Sequence, residues 1–297
     1  MTSRAFFFSL LALVTVNASP VEFMKRQNIS TLTSAQVNAF TPFTHYASAA
    51  YCNPSGTLAW NCGANCQANP DFIPIASGGD GSITQYWYVG YSPAQNSVIV
   101  AHQGTDADKI IPLLTDGDII LGNLDPTLFP GIPSSMESHS GFRDAHARTA
   151  TEILAAVNDA ISQHSATKVT IVGHSLGCAI ALLDGIYLPL HIEGVAFSTI
   201  GYGCPRVGNQ AFADYVDSHI SFTHINNKKD PAPIFPGRFL GYHQASGEIH
   251  ITETGSWVSC PGQDNPSAEC SVGDVDNVSV GDISDHAGPY NGIMMSC

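Results

Sequence analysis

Charged residues are scarce in this chain of 297, only 12% of it, and basic ones scarcer still, with 11 Lys and Arg against 25 Asp and Glu and a formal charge of −14. No basic surface is available to hold a phosphate backbone, which excludes nucleic acid as a partner. The same acidity opposes adsorption to anionic headgroups and leaves neutral lipid or polymer surfaces open. No internal repeat or low-complexity tract occurs, and no apolar run reaches the roughly 20 residues that cross a bilayer. Stable membrane anchoring is therefore not expected. What is present is 44% hydrophobic residues, enough for a full core in a packed globular protein.

The longest apolar run, Ala5 to Val16, follows Arg4 and ends in Val16-Asn17-Ala18. Small residues at alternate positions suit signal peptidase, so residues 1–18 read as a secretory signal peptide. Lys25-Arg26 then reads as a dibasic processing site, making 19–26 a propeptide and Gln27 the start of the mature chain. Removing Arg4, Glu22, Lys25 and Arg26 leaves 8 basic and 24 acidic residues, a charge of −16. An extracellular protein is expected.

Eight cysteines, at 52, 62, 66, 178, 204, 260, 270 and 297, suit that oxidising compartment. Cys178 and Cys204 lie in or beside apolar runs and read as buried small hydrophobes; the other six lie in loops rich in Gly, Asn and Pro. Cys62 and Cys66 have no second pair at zinc-ligand spacing, which favours a small disulfide loop over a metal site. Asn28-Ile29-Ser30 and Asn277-Val278-Ser279 are sequons, so Asn28 and Asn277 are candidate glycosylation sites.

Apolar residues from Ser34 to Tyr51, interrupted by Pro42, predict a broken helix. Strands are predicted over Ile83–Tyr91 and Ser97–Ala101, then a long helix over Asp144–His164. A strand over Lys168–Val172 and a helix over Cys178–Leu188 follow. Strands near Gly194–Ser198 and Thr223–Asn226 flank a helix at Gln210–His219. Such alternation predicts an α/β fold with a mostly parallel central sheet and helices on both faces. No linker divides residues 27–297, so one domain is expected.

Between strand and helix stands Gly173-His174-Ser175-Leu176-Gly177. There a serine sits on a sharp turn, its hydroxyl raised above the sheet, with a helix N-terminus aimed at developing negative charge. The bland alternative is a helix cap with Ser175 as the capping hydroxyl. A serine hydroxyl needs a base and an orienting acid. Asp230, in a strand-end loop before Pro231, is the candidate acid. His286, His243 and His250 all lie downstream, and spacing alone does not separate them. Ala101 to Asp106 closes a strand and could supply an oxyanion donor besides the Leu176 N–H.

Together these residues resemble the fungal class 3 lipases, secreted α/β hydrolases that include acylglycerol lipases and some feruloyl esterases. The likeness runs from about Tyr46 to Cys297. Its other motifs are Gly203-Cys-Pro-Arg-Val-Gly-Asn209, His224 with Asn227 to Pro233, and Asp285-His-Ala-Gly-Pro-Tyr290. By that resemblance Ser175, Asp230 and His286 form the triad, and Thr105 and Leu176 the oxyanion hole. It also implies pairings Cys52 with Cys297, Cys62 with Cys66, and Cys260 with Cys270, leaving Cys178 and Cys204 free. The chain departs from the family in His102-Gln103-Gly104-Thr105, where Phe-Arg-Gly is usual and the change looks like the basidiomycete branch, and in Cys178, which replaces a second glycine.

Family enzymes carry a lid after the oxyanion loop. Here Asp106–Asp116 contains Ile110, Ile111, Leu113 and Leu114, which reads as a lipid-facing lid or, alternatively, as core. A second stretch, Ile119–Pro133, is either a wall of the acyl groove or a packed loop. The expectation is a secreted hydrolase, acting as a monomer on acylglycerols at a lipid–water interface through a seryl ester. The alternatives are a feruloyl or other plant-polymer esterase and a catalytically silent lipid-binding protein. No metal or organic cofactor is implied.

Overall fold

A computed structural model describes residues 28–105 and 119–297. The expected signal peptide, the Lys25-Arg26 site and the lid Asp106–Asp116 lie outside the described residues.

The chain opens with β1 (Ser30–Thr31), α1 (Ser34–Asn38), α2 (Thr41–Ala49), α3 (Pro54–Leu58) and α4 (Ala64–Ala68). Pro42 breaks the predicted helix by starting a new one, since its missing N–H falls in a first turn where none is needed. Next come β2 (Ile73–Gly78), β3 (Trp87–Ser92), β4 (Ser97–His102), β5 (Leu121–Asn123), β6 (Glu137–His139), α5 (Ser140–Ala147) and α6 (Ala150–His164). They are followed by β7 (Lys168–His174), α7 (Leu176–His191), β8 (Ala196–Tyr202), β9 (Gly208–Asn209), α8 (Gln210–His219) and β10 (Phe222–Asn227). The last elements are β11 (Tyr242–His243), β12 (Glu248–Ile251), β13 (Trp257–Cys260) and α9 (Ser271–Asp274).

Nine strands form the main sheet in the order β1-β13-β12-β10-β8-β7-β4-β3-β2. The five from β12 to β4 are parallel, and two further strands on each side join by antiparallel pairing. The sheet is thus mixed, with the expected parallel part at its centre. Side chains of alternate residues go to opposite faces. Val98, Val100, Val169 and Ile171 join a core with residues of α5 to α8, whereas Ile99, Ala101, Val172 and Ile200 meet α2 on the other face. This is the α/β-hydrolase architecture, helices on both faces and a single domain.

Three expectations change. The helix predicted over Asp144–His164 is two, α5 and α6, broken at Thr149, whose N–H and hydroxyl both turn back to the His146 carbonyl. The first predicted strand starts at Trp87 and not Ile83, because Asp80 Oδ1 accepts from the N–H groups of Ser82, Ile83 and Thr84 and curls that stretch out of the ladder. Cys178 and Cys204 are not free; they form a disulfide. β7 and β8 are neighbours with His174 opposite Tyr202, so chain exits that look unrelated in sequence leave the sheet side by side. Gly201 gives the bridge its space, since a Cβ there would lie 2.0 Å from Cys178 Sγ. The other pairs are Cys52–Cys297, Cys62–Cys66 and Cys260–Cys270.

The stretch Ile119–Pro133 is packed through part of its apolar side chains, while Ile120 is exposed. Leu124 and Phe129 are buried in the core, with Leu128 and Ile132 against it.

Candidate active site

Ser175 occupies the turn between β7 and α7 with φ 59° and ψ −127°. A non-glycine residue rarely takes this conformation, and here the close packing of strand on helix imposes it. A Cβ at Gly173 would lie 2.1 Å from the Gly177 carbonyl oxygen, and one at Gly177 2.4 Å from that of His102. The two glycines of the motif are therefore required by close backbone approach. Leu176 is the first residue of α7, where backbone N–H groups lack helical acceptors.

Asp230 lies in the loop after β10. Its Oδ1 accepts from Ala232 N–H at 2.8 Å, and the two carboxylate oxygens lie 2.9 and 2.8 Å from His286 Nδ1. Both side chains are fully buried. The other ring nitrogen, His286 Nε2, is buried with no hydrogen-bond partner. That leaves a basic nitrogen, oriented through its opposite side, next to the serine turn: the His286 ring is 4.4 Å, centroid to centroid, from the ring of His174, the residue before Ser175.

The loops carrying Asp230 and His286 are tied to each other. Asn227 Nδ2 donates to the Asp285 carbonyl, Lys229 N–H to Asp285 Oδ2, and Asp282 N–H to the Lys229 carbonyl. A further tie runs through residues that sequence reasoning did not single out. His174 Nε2 bonds the His286 carbonyl at 2.8 Å, Tyr51 Oη lies 2.5 Å from His174 Nδ1, and Tyr290 Oη donates to the same His286 carbonyl. Burial, and then the neighbouring His286, hold the His174 imidazole well below its ordinary value, although the bond to the His286 carbonyl opposes this. A neutral His174 donating from Nε2 has a bare Nδ1, so the Tyr51 hydroxyl is the donor there. His174 fills the variable position of the serine motif and Tyr290 ends the histidine motif, but nothing local marks Tyr51.

Thr105 follows β4, and its hydroxyl is buried without a partner. A Cβ at Gly104 would lie 3.0 Å from Ser175 Cβ, which puts this loop against the serine. The rival histidines lie elsewhere. Both ring nitrogens of buried His250 are engaged by the carbonyls of Glu269 and Lys228. His243 lies 3.6 Å from Asp264, the partner of Arg206. Among the described residues one group has the density of a metal site, Glu248 with Cys260 and Cys270, but its two sulfurs are bonded to each other. Asn28 and Asn277 are both exposed.

A family model described as Lipase (class 3) matches residues 99–240. A secreted mono- and diacylglycerol lipase of Malassezia globosa is 33% identical over 218 residues, covering 71% of this chain and 69% of the relative. The chain belongs to the class 3 lipases. Among solved structures, lipase II from Rhizopus niveus superposes with a TM-score of 0.78 at 26% identity, over 91% of this chain and 100% of the other. A triacylglycerol lipase whose catalytic centre is formed by a serine protease triad superposes with a TM-score of 0.77, also at 26% identity, over 90% of this chain and 98% of that one. This class 3 lipase is accordingly a carboxylic-ester hydrolase of the Ser-His-Asp kind.

Proposed function

We propose that this lipase is extracellular and hydrolyses acylglycerols, with Ser175 as nucleophile, His286 as general base and then acid, and Asp230 as the group that orients His286. The observation that carries the reading is the buried, unpartnered His286 Nε2, held from behind by Asp230 beside the Ser175 turn. Ser175 Oγ attacks the ester carbonyl while His286 Nε2 takes its proton, and the imidazolium gives that proton to the departing alcohol. Water, activated by the same nitrogen, then releases the fatty acid. Thr105 and the Leu176 N–H receive the oxyanion. The Ser175–Nε2 hydrogen bond forms with substrate in place, as such bonds commonly tighten only in the complex.

Acylglycerol as the substrate is supported by the relatives, which are named for mono-, di- and triacylglycerols and not for the feruloyl esters entertained above. The surface agrees: Phe239, Leu240, Val278, Val280 and Ile283 are exposed on the chain segments that follow Asp230 and precede His286. Phe239 and Val278 line one surface pocket, and exposed apolar side chains brought together in this way suit a lipid surface. The mature chain is read as starting at Gln27, with glycans on Asn28 and Asn277.

The test is hydrolysis of a long-chain triacylglycerol emulsion, a monoacylglycerol and methyl ferulate, with Ser175→Ala as the blank. Turnover of an acylglycerol is expected, with kcat falling about 10⁶-fold in the variant. Turnover of ferulate alone would overturn the substrate, and an active Ser175→Ala protein would overturn the nucleophile.

A further inference from the structure

A second buried polar assembly lies under the serine turn, and the reaction does not touch it. Asp184, on α7, is fully buried. Its carboxylate oxygens accept from His102 Nε2 at 2.7 Å and from His146 Nε2 at 3.0 Å. His102 ends β4 and His146 belongs to α5, so one carboxylate ties a strand and two helices together. Both imidazoles are buried, and the rings of Phe129 and Tyr187 lie 5.3 and 5.2 Å from that of His146. Burial pushes the Asp184 carboxyl up, but the two histidine bonds outweigh it and hold the group at about 2.

His102 gives this assembly a bearing on the chemistry, because Gln103, Gly104 and Thr105 follow it directly. Gln103 is held as well: its N–H donates to the Tyr86 carbonyl, and its side-chain oxygen accepts from Tyr86 N–H, both at 2.8 Å. The close approach of Gly177 to the His102 carbonyl seats the end of β4 on the first turn of α7. Packing alone would be served by an apolar residue at position 184, as it is by Leu182, Leu183 and Ile186 around it. A buried carboxylate carries a desolvation cost that leucine does not, and what it gives in return is a directional, register-fixing contact.

We propose that His102, Asp184 and His146 are positioning residues that latch the end of β4 to the nucleophile helix and so set the Thr105 oxyanion donor relative to Ser175. The latch rests on the ester-hydrolase reading above. It would act through Thr105, since none of the three touches substrate.

The experiment measures hydrolysis of soluble p-nitrophenyl butyrate per active site titrated with an organophosphonate, together with inhibition by an alkylboronic acid, which forms a tetrahedral adduct on serine. In Asp184→Leu, kcat per titrated site is expected to fall at least about tenfold with KM within about twofold, and boronate affinity to fall in parallel, as small misplacements of an oxyanion donor do. Asp184→Asn recovers most of the loss, because its amide can pair with two neutral imidazoles of opposite tautomer. If the leucine protein does not fold, His102→Asn, too short to reach the carboxylate, is read in the same way. Wild-type kcat and boronate affinity at the surviving sites, or a loss confined to KM, overturns the latch. A wild-type protein that neither hydrolyses the ester nor takes the phosphonate overturns the ester-hydrolase reading instead.

Discussion

Among the described residues two buried assemblies join an aspartate to histidine by hydrogen bonds, one at Asp230 and one at Asp184, and each leaves a ring nitrogen without a partner, His286 Nε2 in the first and His146 Nδ1 in the second. What surrounds the spare nitrogen differs. His286 is carried on a loop against His174 and the serine turn, whereas His146 is on a helix, boxed by Phe129 and Tyr187. In the first, one carboxylate orients one imidazole from behind. In the second, one carboxylate is shared by two imidazoles from different elements, an arrangement that fastens and leaves nothing to move a proton toward. Burial and pairing are thus common to both; a place beside the serine turn, on loops that can present substrate, belongs to one.

The same substitution in both places tests the contrast hardest. Asp230→Asn keeps the shape but lets His286 take the wrong tautomer, and kcat per titrated site is expected to fall about 10⁴-fold with the fold intact. Asp184→Asn is expected to cost only a small part of that. Equal losses would mean that the two assemblies act as one.

The disulfide Cys178–Cys204 comes next in size. It joins the first turn of α7 to the chain after β8, where a Cβ on Gly203 would lie 2.9 Å from both Asp230 Oδ2 and His286 Cε1. Replacing both cysteines by alanine is expected to lower stability by about 3 to 4 kcal/mol, as for a loop of this length, measured by urea unfolding. A loss below about 1 kcal/mol would show the bridge to be redundant with the packing around it.

These contrasts follow how far apart the partners lie in the chain. Ser175 was legible because strand, Gly-x-Ser-x-Gly and helix are contiguous, and a local pattern implies a local turn. Asp230 was legible from its place after a strand and before proline. His286 was separable from His243 and His250 only through resemblance, because what distinguishes them is contact: His250 spends both ring nitrogens on carbonyls and His243 faces Asp264. Tyr51 with His174, and Asp184 with His102, are 123 and 82 residues apart, and no periodicity announces such a meeting. Cys178 and Cys204 were misread for the same reason, each fitting its apolar surroundings while the pairing depended on the register of β7 against β8.

Acid should part the two assemblies with the smallest effect. His174, which holds the His286 carbonyl, stays neutral in the fold because burial and His286 depress its proton affinity well below the ordinary 6.5. As pH falls through 6.5 the unfolded chain takes up a proton that folded His174 refuses, so stability drops with acid from that point downward, by at most about 1.4 kcal/mol per pH unit for one such group. Buried His224 is depressed by burial too and adds in the same direction. Asp184, held at about 2 against 3.8, loses its contribution only between those values. Urea midpoints between pH 7 and 5 are therefore expected to fall in the wild-type protein and to fall less in His174→Asn. If His174→Asn leaves the slope unchanged, His174 is taking up a proton in the folded protein, and the neutral tautomer that joins Tyr51 to the His286 carbonyl is wrong.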